Sequence, residues 1–100
     1  MSTASRTYRI PEGVLYQELD RESVLLNMRT EQYYALDPVG TRIWKLLEET
    51  GRVENAVQAM LAEYDTAEAA LQRDVEDLVQ KLLAKGLLIE ESRMAAGEDA

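Results

Sequence analysis

The chain has no cysteine and no histidine among its 100 residues. These absences exclude thiol nucleophiles, disulfides, imidazole general bases and His/Cys zinc sites. Neither a cofactor nor a metal is expected. Basic residues are also scarce, 11 Lys and Arg against 19 Asp and Glu, giving a net charge of -8 with no Lys/Arg cluster. Such a surface repels phosphate backbones and anionic lipid heads, so no nucleic acid and no membrane partner is expected. The apolar runs are only a few residues long, too short for a transmembrane span. The first six residues, Met1 to Arg6, lack the apolar stretch of a signal peptide, and a cytoplasmic protein is the simplest expectation.

The chain does have enough apolar content, 46% of residues, for one small core. The reading is a flexible N-terminal arm over 1–7, a single domain over 8–91 and a disordered tail over 92–100. Tyr8 to Leu19 reads as extended and is interrupted by Pro11 and Gly13, with a strand from Val14 to Leu19. A polar turn over Asp20–Ser23 leads to a second strand, Val24–Met28, whose Val24, Leu26 and Met28 share one face. Gln32–Leu36 is the third strand. The short connections predict a three-stranded antiparallel meander.

The period then becomes helical. Asp37 is an N-cap, Pro38 suits the first helical position, and Val39, Ile43, Leu46 and Leu47 fall on one face, widened by Trp44. Gly51 closes this helix. A second helix begins near Val53, with a stripe of Val53, Val57, Met60, Leu61 and Tyr64. Asp65 and Glu68 read as a capping box for a third helix, which carries Leu71, Val75, Leu78, Val79, Leu82 and Leu83 and ends at Gly86. Leu87-Leu88-Ile89 would pack on the core or form a small strand. The fold class is α+β, a three-stranded antiparallel sheet on a winged-helix-like three-helix bundle.

Winged-helix units usually read DNA, which makes a transcription regulator one candidate. The third helix argues against it, because Glu68, Asp74, Glu76 and Asp77 outnumber Arg73, Lys81 and Lys85. The carboxylate pairs Glu48-Glu49 and Glu90-Glu91 read as solvated ends, and nothing orients a base beside a nucleophile. Asp74, Glu76 and Asp77 lack the loop geometry of a calcium site. Tyr33 and Tyr34 are more informative. They point to opposite faces of one strand, so only one enters the core. The third helix likewise has a wider apolar arc than one contact needs. Together they suggest a groove between an edge strand and a helix, suited to an extended peptide that pairs as an added strand. Gly40, inside a helix, points to close packing against the sheet.

The ordered set Leu26-Asn27, Tyr33-Tyr34-Ala35-Leu36, Gly40-Thr41, Ile43-Trp44 and Leu46-Leu47, continued by Asp74-Val75 to Leu83 and Gly86-Leu87-Leu88, resembles the PqqD-like family of precursor-peptide recognition elements. The resemblance covers roughly residues 8–90. It implies that the leader segment of a ribosomally made precursor peptide binds against the third strand and settles beside the third helix. The implied site is Gln32, Tyr33, Tyr34, Ala35 and Leu36 for backbone contact, with Tyr33 or Tyr34, Leu71, Val75, Leu78 and Val79 lining the groove and Arg73 and Asp74 as polar rims. After Leu26-Asn27 this chain continues Met28-Arg29-Thr30, a departure from the pyrroloquinoline quinone members. It looks more like the free-standing recognition proteins of lasso-peptide pathways, which implies a non-catalytic adaptor serving a separate-chain cysteine leader peptidase. A chaperone for quinone-cofactor synthesis is the alternative within the family. A homodimer through the unpaired strand edge is the competing arrangement of that edge.

Overall fold

Two turns and one capped helix start organise the chain, which we describe from a computed structural model covering residues 7–91. Strands β1 (Thr7–Arg9), β2 (Val14–Leu19), β3 (Glu22–Asn27) and β4 (Gln32–Leu36) are followed by helices α1 (Pro38–Thr50), α2 (Val53–Glu63) and α3 (Glu68–Ala84) and by β5 (Ile89–Glu91). β2, β3 and β4 form an antiparallel sheet in that order, and β1 pairs with β5 in a separate antiparallel ribbon.

β3 starts earlier and ends earlier than the expected Val24–Met28. Asp20 takes a left-handed φ of 67°, so the first hairpin turns in two residues and Leu19 already faces Glu22. At the other end the Asn27 side chain accepts from the backbone N–H groups of Arg29 (2.8 Å) and Thr30 (3.2 Å), which bends the chain into a turn before Met28. The shared face of Val24 and Leu26 is the outer one. Ser23, Leu25 and Asn27 point inward and are buried.

α1 begins as its sequence indicates: the Asp37 carboxylate accepts from the Gly40 N–H at 2.7 Å, and Pro38 follows directly. It ends at Gly51, whose φ of 71° is the left-handed conformation that glycine adopts without a Cβ penalty. The α3 start differs from the expected capping box. The N-cap is Ala67, with no side-chain bond, and Asp65 falls two residues earlier, inside a tight turn over Tyr64 to Thr66 (Thr66 N–H to Tyr64 O, 3.1 Å).

The core lies between the inner face of the sheet and the helices. Leu25, Trp44, Met60, Val75, Val79, Leu82, Leu87 and Leu88 are its fully buried side chains. Trp44 stacks on Tyr16 with ring centroids 6.3 Å apart. Leu87 and Leu88 pack into the core and Ile89 opens β5, so the short apolar run does both things expected of it. Thr7, assigned to the arm by the sequence, is instead paired opposite Glu91, and its hydroxyl donates to the Glu91 carbonyl at 2.9 Å. The rest of the arm and the tail over 92–100 lie outside the described residues. Among the described residues no helix is long and apolar enough to cross a membrane.

Candidate functional site

β4 is an edge strand. β3 occupies one side of it, and among the described residues no strand pairs with the other. Beside this free edge runs a groove of about 370 Å³. One wall is Tyr34, Ala35 and Leu36 of β4 with Asp37, Val39, Gly40 and Ile43 of the α1 start. The other wall is α3, through Asp74, Asp77, Leu78 and Lys81. An extended peptide laid here would meet an unpaired backbone ladder on one side and a side-chain slot, part apolar and part charged, on the other.

The tyrosine pair divides by strand parity. Tyr34 faces inward, half-buried against the core, and lines the groove. Tyr33 lies on the outer face, 65% exposed, in a cross-strand row with Leu26 and Leu15. Gln32 is exposed at the turn end of β4, opposite Asn27. Among the α3 residues named from sequence, Leu78 and Asp74 line the groove. Leu71, Val75 and Val79 do not: they are at most 5% exposed and belong to the core cluster. The wide apolar arc of α3 is used mostly to pack the helix down, and only its Leu78 edge reaches the groove. Arg73 is exposed and is not one of the lining residues.

Sequence reasoning missed four lining residues at the start of α1 and two on α3. Asp37 to Ile43 follow β4 directly in the chain, so contiguity was the available signal. Asp77 and Lys81 follow Asp74 at helical spacing, three and seven residues on, which puts all three along one ridge. Val39, expected in the core, is 38% exposed and forms part of the groove wall. Gly40 fits its packing role, because a Cβ there would sit 3.2 Å from both the Leu36 side chain and Asp37 Oδ1.

A larger cleft, about 570 Å³, opens on the other side of α3, floored by Tyr8, Val53, Val57 and Val79. No residue of the three-stranded sheet lines it, so it offers no free edge of that sheet to a peptide.

Residues 22–88 match the family described as Coenzyme PQQ synthesis protein D (PqqD). This chain belongs to the PqqD family. It is 42% identical to a solved structure of TbiB1 in complex with the TbiA(beta) leader peptide, with a TM-score of 0.75 over 80% of this chain and 93% of that one. A lasso peptide synthetase B1 complexed with the leader peptide shares the fold at TM-score 0.75 and 23% identity, over 83% of this chain and 98% of that one. No curated protein sequence matches.

The motifs that carry the PqqD resemblance are largely structural fasteners for the groove. Asn27 Nδ2 donates to the Gly86 carbonyl at 2.7 Å, tying the β3–β4 turn to the end of α3. Ser23 and Thr41 share a buried hydroxyl–hydroxyl bond of 2.7 Å, tying β3 to α1. The Thr41 hydroxyl also donates to the Leu36 carbonyl at 3.4 Å, where β4 passes into the helix. Both groove walls are thereby fixed to the central strand. Among the described residues no three His, Cys, Asp or Glu side chains are grouped to hold a metal ion.

Proposed function

We propose that this protein binds the leader segment of a ribosomally made precursor peptide as a fourth strand on β4, and presents it to a separate enzyme in lasso-peptide biosynthesis. The observation that carries this is the free β4 edge beside a groove walled by α1 and α3, in a chain 42% identical to a leader-peptide complex of TbiB1. Gln32 to Leu36 supply backbone pairing. Tyr34, Val39, Ile43 and Leu78 take the inward side chains of the peptide. Leu71, Val75 and Val79 act from beneath by holding α3 in place, and Arg73 lies outside the lining.

The role is that of a non-catalytic adaptor within a unit spanning residues 8–91. With neither cysteine nor histidine in the chain, the hydrolytic chemistry falls to the partner, a cysteine leader peptidase on another chain. Tethering raises the effective concentration of precursor near that peptidase, to the millimolar range for short linkers. The reading implies a cytoplasmic location, where precursor peptides leave the ribosome. The lasso assignment is favoured over quinone synthesis by the two leader-complex neighbours, one of them named lasso peptide synthetase B1.

The test is titration of the purified protein with leader segments encoded near its gene, read by amide NMR. Saturable shifts confined to Gln32–Leu36, the α1 start and the Asp74–Lys81 ridge are the expected result. Absence of binding by every such leader at tens of micromolar, about -6 kcal/mol or weaker, would remove the proposal. Shifts confined to the cleft between α2 and α3 would remove it too.

A further inference from the structure

The charges along the groove are uneven, and those on α3 have no side-chain partner among the described residues. Asp74 and Asp77 line it together with Lys81 on the same ridge of α3, and the Asp37 carboxylate closes the opposite wall. Among the described residues neither the Asp74 nor the Asp77 side chain makes a hydrogen bond or ion pair, and the Lys81 ammonium makes none. Four carboxylates elsewhere on the surface stand in ion pairs: Glu18 with Lys45, Glu63 with Arg42, Glu91 with Arg9 and Glu54 with Arg52. The two α3 acids of the groove are exposed beside the Leu78 side chain and a free backbone edge.

Resting on the peptide-strand reading of that groove, we infer that the protein selects a leader carrying one Lys or Arg next to its apolar anchor, seated between Asp74 and Asp77. The anchor side chain enters the slot at Leu78, Val39 and Ile43. The cation rises beside it to the two carboxylates, and its aliphatic stem covers the slot edge while its charged head stays hydrated. Lys81 sits one turn beyond Asp77, about 6 Å along the helix, and opposes a second cation at that end. Selectivity then has a direction: one basic residue at the Asp74 end, an uncharged or acidic one at the Lys81 end. Like charges placed directly together disfavour the wrong partner as much as opposite charges favour the right one.

The test uses the full chain and a displayed library of twelve-residue peptides with all positions randomised. Selected binders are then synthesised with Lys, Gln or Glu at the enriched position and titrated by fluorescence anisotropy at low and high salt. Enrichment of Lys or Arg at a single position flanking an apolar residue is expected, with about a tenfold loss on Lys→Glu at low salt that shrinks at high salt. The double variant Asp74→Asn/Asp77→Asn should erase the preference, and Asp74→Lys/Asp77→Lys should reverse it. Asp74 and Asp77 are both exposed, so melting temperature should hardly move. The remote pair Glu48→Gln/Asp65→Asn removes the same net charge and should leave the preference intact. Binders without a charge preference, or a remote pair acting as strongly as the groove pair, would overturn the inference while leaving peptide docking in place. If the library yields no binder that shifts β4 amides, peptide docking and charge selection both fall.

Discussion

Asn27→Ala should destabilise this protein far more than a polar-to-alanine change in a β-turn usually does. Asn27 is 5% exposed and makes three side-chain hydrogen bonds: donation to the Gly86 carbonyl (2.7 Å) and acceptance from the N–H groups of Arg29 (2.8 Å) and Thr30 (3.2 Å). Each such bond contributes about 0.5–1.5 kcal/mol net, and a partner left buried without a replacement costs more. The three together give roughly 2–4 kcal/mol, a large share of the 5–15 kcal/mol typical of a domain. The corresponding drop in Tm is about 10–25 °C at this chain length. Urea unfolding followed by tryptophan fluorescence measures it directly, since the single Trp44 is buried and stacked on Tyr16. The midpoint should fall while the slope m is unchanged. Asn27→Asp separates the two ends of the network. It keeps the acceptor for Arg29 and Thr30 but turns a carboxylate toward the Gly86 carbonyl, which favours the protonated form in the folded state. Its deficit should therefore shrink as pH falls toward about 4, the unfolded carboxyl value, and widen as pH rises through its higher folded value. A loss below 1 kcal/mol in the alanine variant, or a pH-independent deficit in the aspartate variant, would show that Asn27 does not hold the turn to α3.

Two α3 substitutions distinguish floor from wall. Val75→Ala, at 0% exposure, should lose about 2–3 kcal/mol of stability by leaving a cavity, while the folded fraction still binds peptide. Leu78 is half-buried against the core, so Leu78→Ala should cost about 1–2 kcal/mol of stability and also weaken leader binding about fivefold to thirtyfold, and identical binding losses in the two variants would contradict the assignment. Gly51→Ala should destabilise by about 1–3 kcal/mol in thermal melts, since its φ is 71° and a Cβ would meet the Tyr8 carbonyl at 3.0 Å; an unchanged melt would exclude that contact. Glu18 is held below the ordinary carboxylate range by its hydrogen bond to Lys45 and then by that from Tyr16, and Glu63 is held there by Arg42. A lowered folded pKa adds stability above the unfolded value, lost as pH falls through the folded one, so stability should decline on acidification below the ordinary value of 4.5. The Glu18→Gln/Glu63→Gln variant should show a shallower acid limb, and superimposable acid limbs would show that neither pair contributes.

Much of the architecture is legible because several local signals agree at the same place. Asp37-Pro38 marks a helix start by capping chemistry, and the period shifts from two to 3.6 across the same dipeptide. Gly51 marks the end by its need for a left-handed backbone. The groove is legible only in outline. Six apolar positions on α3 announce an excess of apolar arc, but which of them faces solvent depends on where α2 and β4 lie around the helix. Val75 and Leu78 differ by less than one helical turn and have opposite fates. The α3 start departs from its sequence signal for a related reason: D-x-x-E spacing is necessary for a capping box but not sufficient, and here Asp65 lies in the turn at Tyr64–Thr66 while Ala67 caps the helix.

The central strand shows why periodicity alone gives the wrong side of a sheet. The residues of β3 alternate Ser23, Leu25, Asn27 on one face and Val24, Leu26 on the other. A rule that buries the more apolar face would choose Val24 and Leu26, leaving Ser23 and Asn27 in water. The structure does the reverse, with Ser23 at 3% and Asn27 at 5% exposure and Val24 at 44%. The reversal is stable because each inward polar group finds a partner on a helix or at its end, Ser23 on Thr41 and Asn27 on Gly86. Those bonds are directional where hydrophobic contact is not, so they fix the position of the sheet over α1 and α3. Under the proposed strand addition that precision matters, because a slip of one residue would exchange Tyr34 for Tyr33 at the groove wall. The polar inner face thus ties the local alternation of β3 to the shape of the docking edge one strand away.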